Sequence, residues 1–294
     1  MRSEDMHIAP PDLTFGVGLL MPIGSTMTSG HARRPARVCL ALGVFCALFA
    51  TAHVQGAQSS VGSLVLVGGG PTPAQVFERT LALSGGSRAV VAVLPQTYPN
   101  DSIADAAVAM WTAFHPREVL KVSRTDSSAA VAALERATLI WMPGGFPGYF
   151  MDTIKGTAIP DLIRSRFAAG VTIGGASAGA AAMSRTMIAD ESTPNGDSLD
   201  GPPTVDGLGL WPEAIVSPHF TERRRLGPLL PIVLGHPTLF GVGIDEGTAA
   251  IVSKGEIEVL GRGTVVIVDA KNSTRPRVFR AGTRVRYRVQ TEPE

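Results

Sequence analysis

The stretch Val171-Thr172-Ile173-Gly174-Gly175-Ala176-Ser177-Ala178-Gly179-Ala180 runs from an apolar, β-branched segment through a glycine-flanked serine into alanine-rich sequence. It reads as strand, sharp turn, helix, and Gly175-Ala176-Ser177-Ala178-Gly179 matches the Gly-x-Ser-x-Gly nucleophile elbow in that context. Small residues around the serine permit a strained backbone and close packing of neighbouring elements. The turn lifts Ser177 to the carboxyl edge of a sheet.

Working outward, the same alternation recurs on both sides. Leu64 to Val67 is an apolar run followed by Gly68-Gly69-Gly70 and a helix-like Thr72 to Leu83. Ala89 to Leu94, Val119 to Val122 and Thr138 to Met142 read as buried strands, separated by helical segments Ala104 to Phe114 and Ser127 to Arg136. Asp161 to Ala169 reads as a helix before the strand at Val171 to Ile173. This pattern predicts an α/β fold, a mainly parallel sheet flanked by helices on both faces. Beyond the serine, the sequence predicts a helix over Ala178 to Met187, a loop over Asp190 to Asp206, a strand at Ala214 to Val216 and a basic helix from Glu222. A strand at Gly241 to Ile244 follows, and antiparallel C-terminal strands over Ala249 to Val289 are expected to finish the sheet.

A serine nucleophile needs a base, and histidine suits neutral pH. His219 follows the Ala214 to Val216 strand, at the sheet edge expected to carry Ser177. His115 and His236 sit at a helix end and in a turn, and are read as structural. An acid must fix the imidazole's tautomer. Asp245 and Glu246 end the Gly241 to Ile244 strand, and adjacent residues on an extended chain point to opposite faces, so only one of them reaches His219. Backbone amides of Ala178 and of Gly144-Gly145 are candidates for an oxyanion hole, with Gly145 and Ala178 as the expected donors. Within Glu222-Arg223-Arg224-Arg225, Arg223 and Arg225 share a direction and suit a substrate carboxylate. Gly68-Gly69-Gly70 lacks the spacing of a phosphate loop and is read as a structural turn.

The chain has 294 residues, 26 Lys+Arg against 25 Asp+Glu, and 6% aromatics. That balance gives no electrostatic footprint for nucleic acid. Both cysteines, Cys39 and Cys46, lie in the apolar run Val38 to Ala50, which follows His31, Arg33, Arg34 and Arg37 and precedes Ala50-Thr51-Ala52. Basic flank, apolar core and small-residue exit in that order predict a signal peptide cleaved after Ala52, with Met27 as the initiator, and hence a secreted or periplasmic protein. The run is too short to leave a stable membrane span. The processed chain then has no cysteine, so no disulfide or thiolate site, and neither metal nor cofactor is expected. Residues 1–60 are thus an extension with a leader, its apolar core at 38–50, and residues 61–294 a single domain.

Gly174 to Ala180, His219-Phe220 with Arg223 and Arg225, and Gly243-Ile244-Asp245-Glu246 together resemble the cyanophycinase and aspartyl dipeptidase (dipeptidase E) family of serine peptidases. The resemblance covers nearly all of Ser63 to Ala270. It implies a class I glutamine amidotransferase-like fold, a serine nucleophile at Ser177, His219 as base and Glu246 as third member. It also implies hydrolysis of peptide bonds beside aspartate, in small peptides or an Asp-containing polymer such as the β-linked Asp-Arg cyanophycin, and a homodimer. Three positions depart from the family pattern: Phe146-Pro147 stands for Asp-Gln after the paired glycines, Ser217 for an Asp, and Pro228 for an Arg. They are expected to alter the substrate pocket. Two other functions fit parts of the pattern. An α/β-hydrolase-type esterase would use an acid between Ser177 and His219, such as Asp190 or Asp206. A catalytically inactive binding protein would keep the fold alone.

Overall fold

The structure, a computed structural model, describes residues 61–189, 201–270 and 275–287. The expected leader, with Cys39 and Cys46, lies outside them, as does Asp190. The elements run in the order β1 (Leu64–Val67), α1 (Ala74–Leu83), β2 (Val90–Val93), α2 (Ser102–Thr112), β3 (Glu118–Lys121), α3 (Ser127–Arg136), β4 (Leu139–Met142), α4 (Pro147–Ile154), α5 (Ile159–Ala168), β5 (Thr172–Ala176) and α6 (Ala178–Ala181). They continue with β6 (Thr186–Ile188), β7 (Thr204–Asp206), β8 (Ala214–Pro218), α7 (Leu226–Gly235), β9 (Phe240–Ile244), β10 (Thr248–Ser253), β11 (Glu256–Gly261), β12 (Thr264–Asp269), β13 (Arg277–Arg280) and β14 (Arg284–Arg286).

The main sheet has eight strands in the order β14-β11-β10-β1-β5-β4-β2-β3. Its β1, β5, β4, β2 and β3 are parallel, and β10, β11 and β14 join antiparallel at the other side. Successive side chains of a strand face opposite sides, and both sides here are apolar. Val65 and Val67 with Leu139 and Trp141 face α1 and α2, meeting Phe77 and Trp111. Leu64 and Leu66 with Ile140 and Met142 face the other way, into a core closed by Leu134, Phe150 and Ile163. Trp111 sits edge-on to Trp141 at 5.0 Å and to Phe77 at 5.3 Å, the geometry that aromatic quadrupoles favour.

A second sheet departs from the expected single layer. It has four strands in the order β13-β12-β9-β8, with β8 and β9 parallel. The C-terminal strands are therefore shared, β10, β11 and β14 completing the main sheet and β12 and β13 the second. One face of this sheet, through Val216, Val242 and Ile244, enters the same core as Leu64 and Leu66. The other face, through Ile215, Val266 and Val268, packs on Leu229, Ile232 and Val233 of α7.

Local expectations change in four places for physical reasons. The helix expected over Ala178 to Met187 stops at Ala181, because the Ser184 hydroxyl accepts the Val216 N–H at 3.0 Å and Ser184 bridges Trp211, drawing the chain out towards β6. Tertiary pairing there overrides alanine's helix propensity. The segment expected as loop to Asp206 ends in β7, whose Thr204 to Asp206 pair antiparallel with β6. The helix expected from Glu222 begins at Leu226, leaving Arg223 and Arg225 in the preceding turn. The unforeseen α4 starts on Pro147, which pre-sets the first helical position where its missing N–H costs nothing.

Candidate active site

Two strand ends deliver the site from the main sheet. Leu66 and Val67 of β1 lie in register with Gly175 and Ala176 of β5, and Met142 of β4 pairs with Gly175 from the other side. Ser177 follows with φ 51° and ψ −115°, a conformation that non-glycine residues rarely adopt. Its N–H donates to Val67 O at 2.9 Å, which fixes the turn. The flanking glycines are required by contact: a Cβ on Gly179 would lie 2.0 Å from Met142 O, and one on Gly175 2.7 Å from the Gly179 backbone. The elbow is thus pressed directly onto the end of β4.

The second sheet delivers the partners. His219 follows β8 with φ 50°, and its N–H donates to Gly68 O at 2.9 Å. The residue is 7% exposed, and its imidazole lies between two oxygens, with Nδ1 2.6 Å from Glu246 Oε1 and Nε2 2.8 Å from Ser177 Oγ. A carboxylate only accepts, so Nδ1–H donates to Glu246, and Nε2 accepts the Ser177 hydroxyl. Burial pushes the His219 pKa below the usual 6.5; the hydrogen bond to Glu246 opposes this, while the charges of Arg223 and Arg225 add to it. The ring is therefore neutral at pH 7, with a lone pair facing the serine.

Asp245 turns the other way. Its carboxylate accepts Thr221 N–H and Oγ1–H at 3.1 and 2.6 Å, and Thr264 N–H and Oγ1–H at 2.8 and 2.6 Å. Burial alone would raise its pKa, but those hydrogen bonds to the charged form outweigh it and leave the pKa lowered. This clamp ties the turn after His219 to β12. Glu246 has its N–H held by Glu222 Oε1 at 3.2 Å, and its neighbour Gly247 donates to Gly69 O at 2.8 Å.

Gly68-Gly69-Gly70, expected as a plain structural turn, forms the floor beneath this pair. A Cβ on Gly69 would lie 2.3 Å from His219 Cε1, and one on Gly70 2.5 Å from Glu246 Oε2, with φ +103° and +64°. Spacing in the sequence carried no sign of this, because the contacts join the first strand's end to residues 150 and 176 positions later. The run of three glycines was the only signal.

The other expected residues occupy varied places. A Cβ on Gly144 would lie 3.7 Å from Ser177 Cβ, which puts the paired glycines beside Ser177. Gly145 has φ +151° and a Cβ there would strike Thr97 O at 2.0 Å. Ala178 opens α6 directly after Ser177. Arg223 is exposed, whereas Arg225 is buried at 4% exposure. Of the three positions that depart from the family pattern, Phe146 stands exposed beside Gly145, but Ser217 is fully buried in β8 and Pro228 lies in the first turn of α7. The expected effect on the pocket therefore rests on Phe146. Asp206 is exposed at the end of β7, and the acid that meets His219 follows it in the chain. Among the described residues, no cluster of three or more His, Cys, Asp or Glu forms a metal site, and no helix is long and apolar enough to cross a membrane.

A serine on a strained elbow of an α/β sheet, facing a buried neutral histidine and a glutamate, marks a serine-type peptidase, a hydrolase. The chain belongs to peptidase family S51, whose model matches residues 64–260. It is similar to the cyanophycinase of Geminocystis herdmanii, 34% identical over 223 residues that cover 71% of this chain and 81% of that one. The cyanophycinase of a Nostoc species is 31% identical over 231 residues, covering 74% and 76%. Two solved structures share the fold. A peptidase from an acI-B1 actinobacterium superposes with a TM-score of 0.57 at 22% identity, over 78% of this chain and 98% of that one. A peptidase E-type protein from Listeria monocytogenes gives 0.51 at 19% identity, over 68% and 98%.

The glycine floor gives a test apart from the reacting groups. Gly69→Ala is expected to keep the fold by circular dichroism and to lose activity about 10²-fold, since displacing a catalytic group by about 1 Å costs that much. Unchanged kcat/KM would show that the imidazole does not need this space.

Proposed function

We propose that Ser177, His219 and Glu246 act as a catalytic triad that hydrolyses short acidic or β-aspartyl peptides through an acyl-enzyme. The observation that carries this reading is the continuous hydrogen-bond chain from Ser177 Oγ through His219 to Glu246. Ser177 Oγ attacks the scissile carbonyl carbon as its proton passes to Nε2 of His219, and the carbonyl electron pair moves onto oxygen. Backbone N–H groups of Gly145 and Ala178 receive that oxyanion. When the C–N bond breaks, the amine leaves with the proton from His219. Water then attacks the acyl carbon and gives a proton to His219, the ester C–O bond breaks, and the proton returns to Ser177. Glu246 keeps Nδ1 protonated throughout and balances the imidazolium charge.

Arg223 and Arg225 are assigned to recognition of the substrate carboxylate, because a guanidinium stays protonated and cannot serve as the base. The relatives' name points to the β-linked Asp-Arg polymer. Phe146-Pro147 at the rim supplies no side-chain hydrogen-bonding group, which supports short peptides over that polymer here. Ser177→Ala should lower turnover roughly 10⁴- to 10⁶-fold and abolish labelling by a fluorophosphonate. Near-normal activity in that variant would exclude the mechanism.

The neutral base gives the pH dependence its sign. Activity should fall on the acid side as His219 gains a proton, with a midpoint below the usual histidine value of 6.5 because its pKa is lowered. Arg223→Gln removes one of the charges that oppose protonation, so the acid limb of kcat/KM should move to higher pH. An unmoved limb would mean that Arg223 has no influence at the base.

Export of the processed chain is the remaining part of the proposal, supported by the basic flank, the apolar core at 38–50 and the Ala50-Thr51-Ala52 exit. N-terminal sequencing of protein recovered outside the cytoplasm should begin near His53. A cytoplasmic product that retains Cys39 and Cys46 would contradict it.

A further inference from the structure

The rim beside the oxyanion loop carries an aromatic pair that no step of the reaction uses. Phe146 is 52% exposed, and its ring stacks on Tyr98 with centroids 5.4 Å apart and planes 16° from parallel. Phe146 is two residues from Gly144, whose Cβ position lies 3.7 Å from Ser177 Cβ, so chain length alone keeps it within about 7 Å of that glycine. Large apolar side chains left open beside a catalytic centre are a feature of ligand sites.

The backbone that carries both rings is held before any ligand arrives. The Phe146 N–H donates to Thr97 O at 3.0 Å, and Pro147 fixes the start of α4 immediately after it. On the other strand end, Arg124 donates to the backbone carbonyls of Tyr98 and Asn100 at 2.7 and 2.8 Å. A pair already stacked on a fixed backbone costs less conformational entropy on binding than two free rings. From this arrangement we infer that Tyr98 and Phe146 form a subsite for an apolar or aromatic side chain across the scissile bond from the acidic residue.

An aromatic face also accepts a cation. Two features favour a neutral occupant. Arg223 and Arg225 follow His219 in the same turn, and two cations there disfavour a third. Pro147 offers no N–H, and Phe146 brings no carboxylate to partner a guanidinium. The subsite rests on Ser177 being the nucleophile toward aspartyl peptides, and it narrows that reading to aspartyl or β-aspartyl bonds followed by a residue such as Phe or Leu.

The test compares aspartyl and β-aspartyl dipeptides ending in Phe, Leu, Ala or Arg. Phe and Leu should exceed Ala and Arg by about tenfold or more in kcat/KM, the discrimination a hydrophobic pocket supplies. Phe146→Ala should bring that ratio towards one, and Tyr98→Ala should lower it in the same direction, mainly through KM. Equal values across the series, a ratio unmoved by Phe146→Ala, or highest activity on the Arg peptide would overturn the inference. A second arm needs no peptide turnover: the rates at which two fluorophosphonates, one bearing benzyl and one methyl, label Ser177. Faster labelling by the benzyl probe, lost in Phe146→Ala, with no dipeptide cleaved, would sink the substrate class proposed above and uphold the subsite. Equal rates with both probes would overturn the subsite whatever the peptides do.

Discussion

The imidazole of His219 is held between Ser177 and Glu246, and the three side chains come from strands of two different sheets. Ser177 ends β5 in the main sheet, His219 and Glu246 end β8 and β9 in the second, and all lie at carboxyl ends. Parallel strands bring such ends to one edge, which is where open α/β folds form their sites. The two hydrogen bonds need the sheets to meet within tenths of an ångström. Backbone does that work: Gly68 O accepts from His219 N–H, and Gly69 O accepts from Gly247 N–H. Because Gly69 and Gly70 carry no Cβ, β1 passes directly under the imidazole and the carboxylate.

Strain concentrates at the same place. Ser177 and His219 both hold positive φ, as does Arg224 in the following turn. Such conformations cost about 1–3 kcal/mol each and persist only where the surroundings over-determine them. Here the Asp245 clamp on Thr221 and Thr264, and the apolar packing of both sheets, supply that determination. Asp245 and Glu246 show one strand end dividing two tasks, a buried carboxylate that braces the turn and a neighbour that meets the His219 imidazole.

Much of this was legible in the sequence. The strand and helix alternation from Leu64 to Ile173, the elbow at Ser177 and the strand-end positions of His219 and Glu246 follow from periodicity and residue type, because buried parallel strands are nearly all apolar. What was not legible depended on contacts remote in the chain. Ala178 to Met187 has helical composition, yet Ser184 is claimed by Val216 and Trp211. The second sheet leaves no mark on its strands, since β9 and β12 are buried on both faces and read as short buried strands like those of the main sheet. Gly69 and Gly70 look like an ordinary turn until His219 and Glu246 are set above them. The choice between Asp245 and Glu246 was open to spacing, which fixes that they diverge but not which way.

The central claim is that Ser177, His219 and Glu246 function as one unit, and a double-mutant cycle tests it most directly. Turnover of Ser177→Ala, His219→Ala and the double variant is to be measured against the same aspartyl peptide. A cooperating pair loses almost everything with either member, so the double variant should be no slower than the slower single variant. Losses that multiply in the double variant would contradict the account, because they would show the serine and the histidine contributing independently.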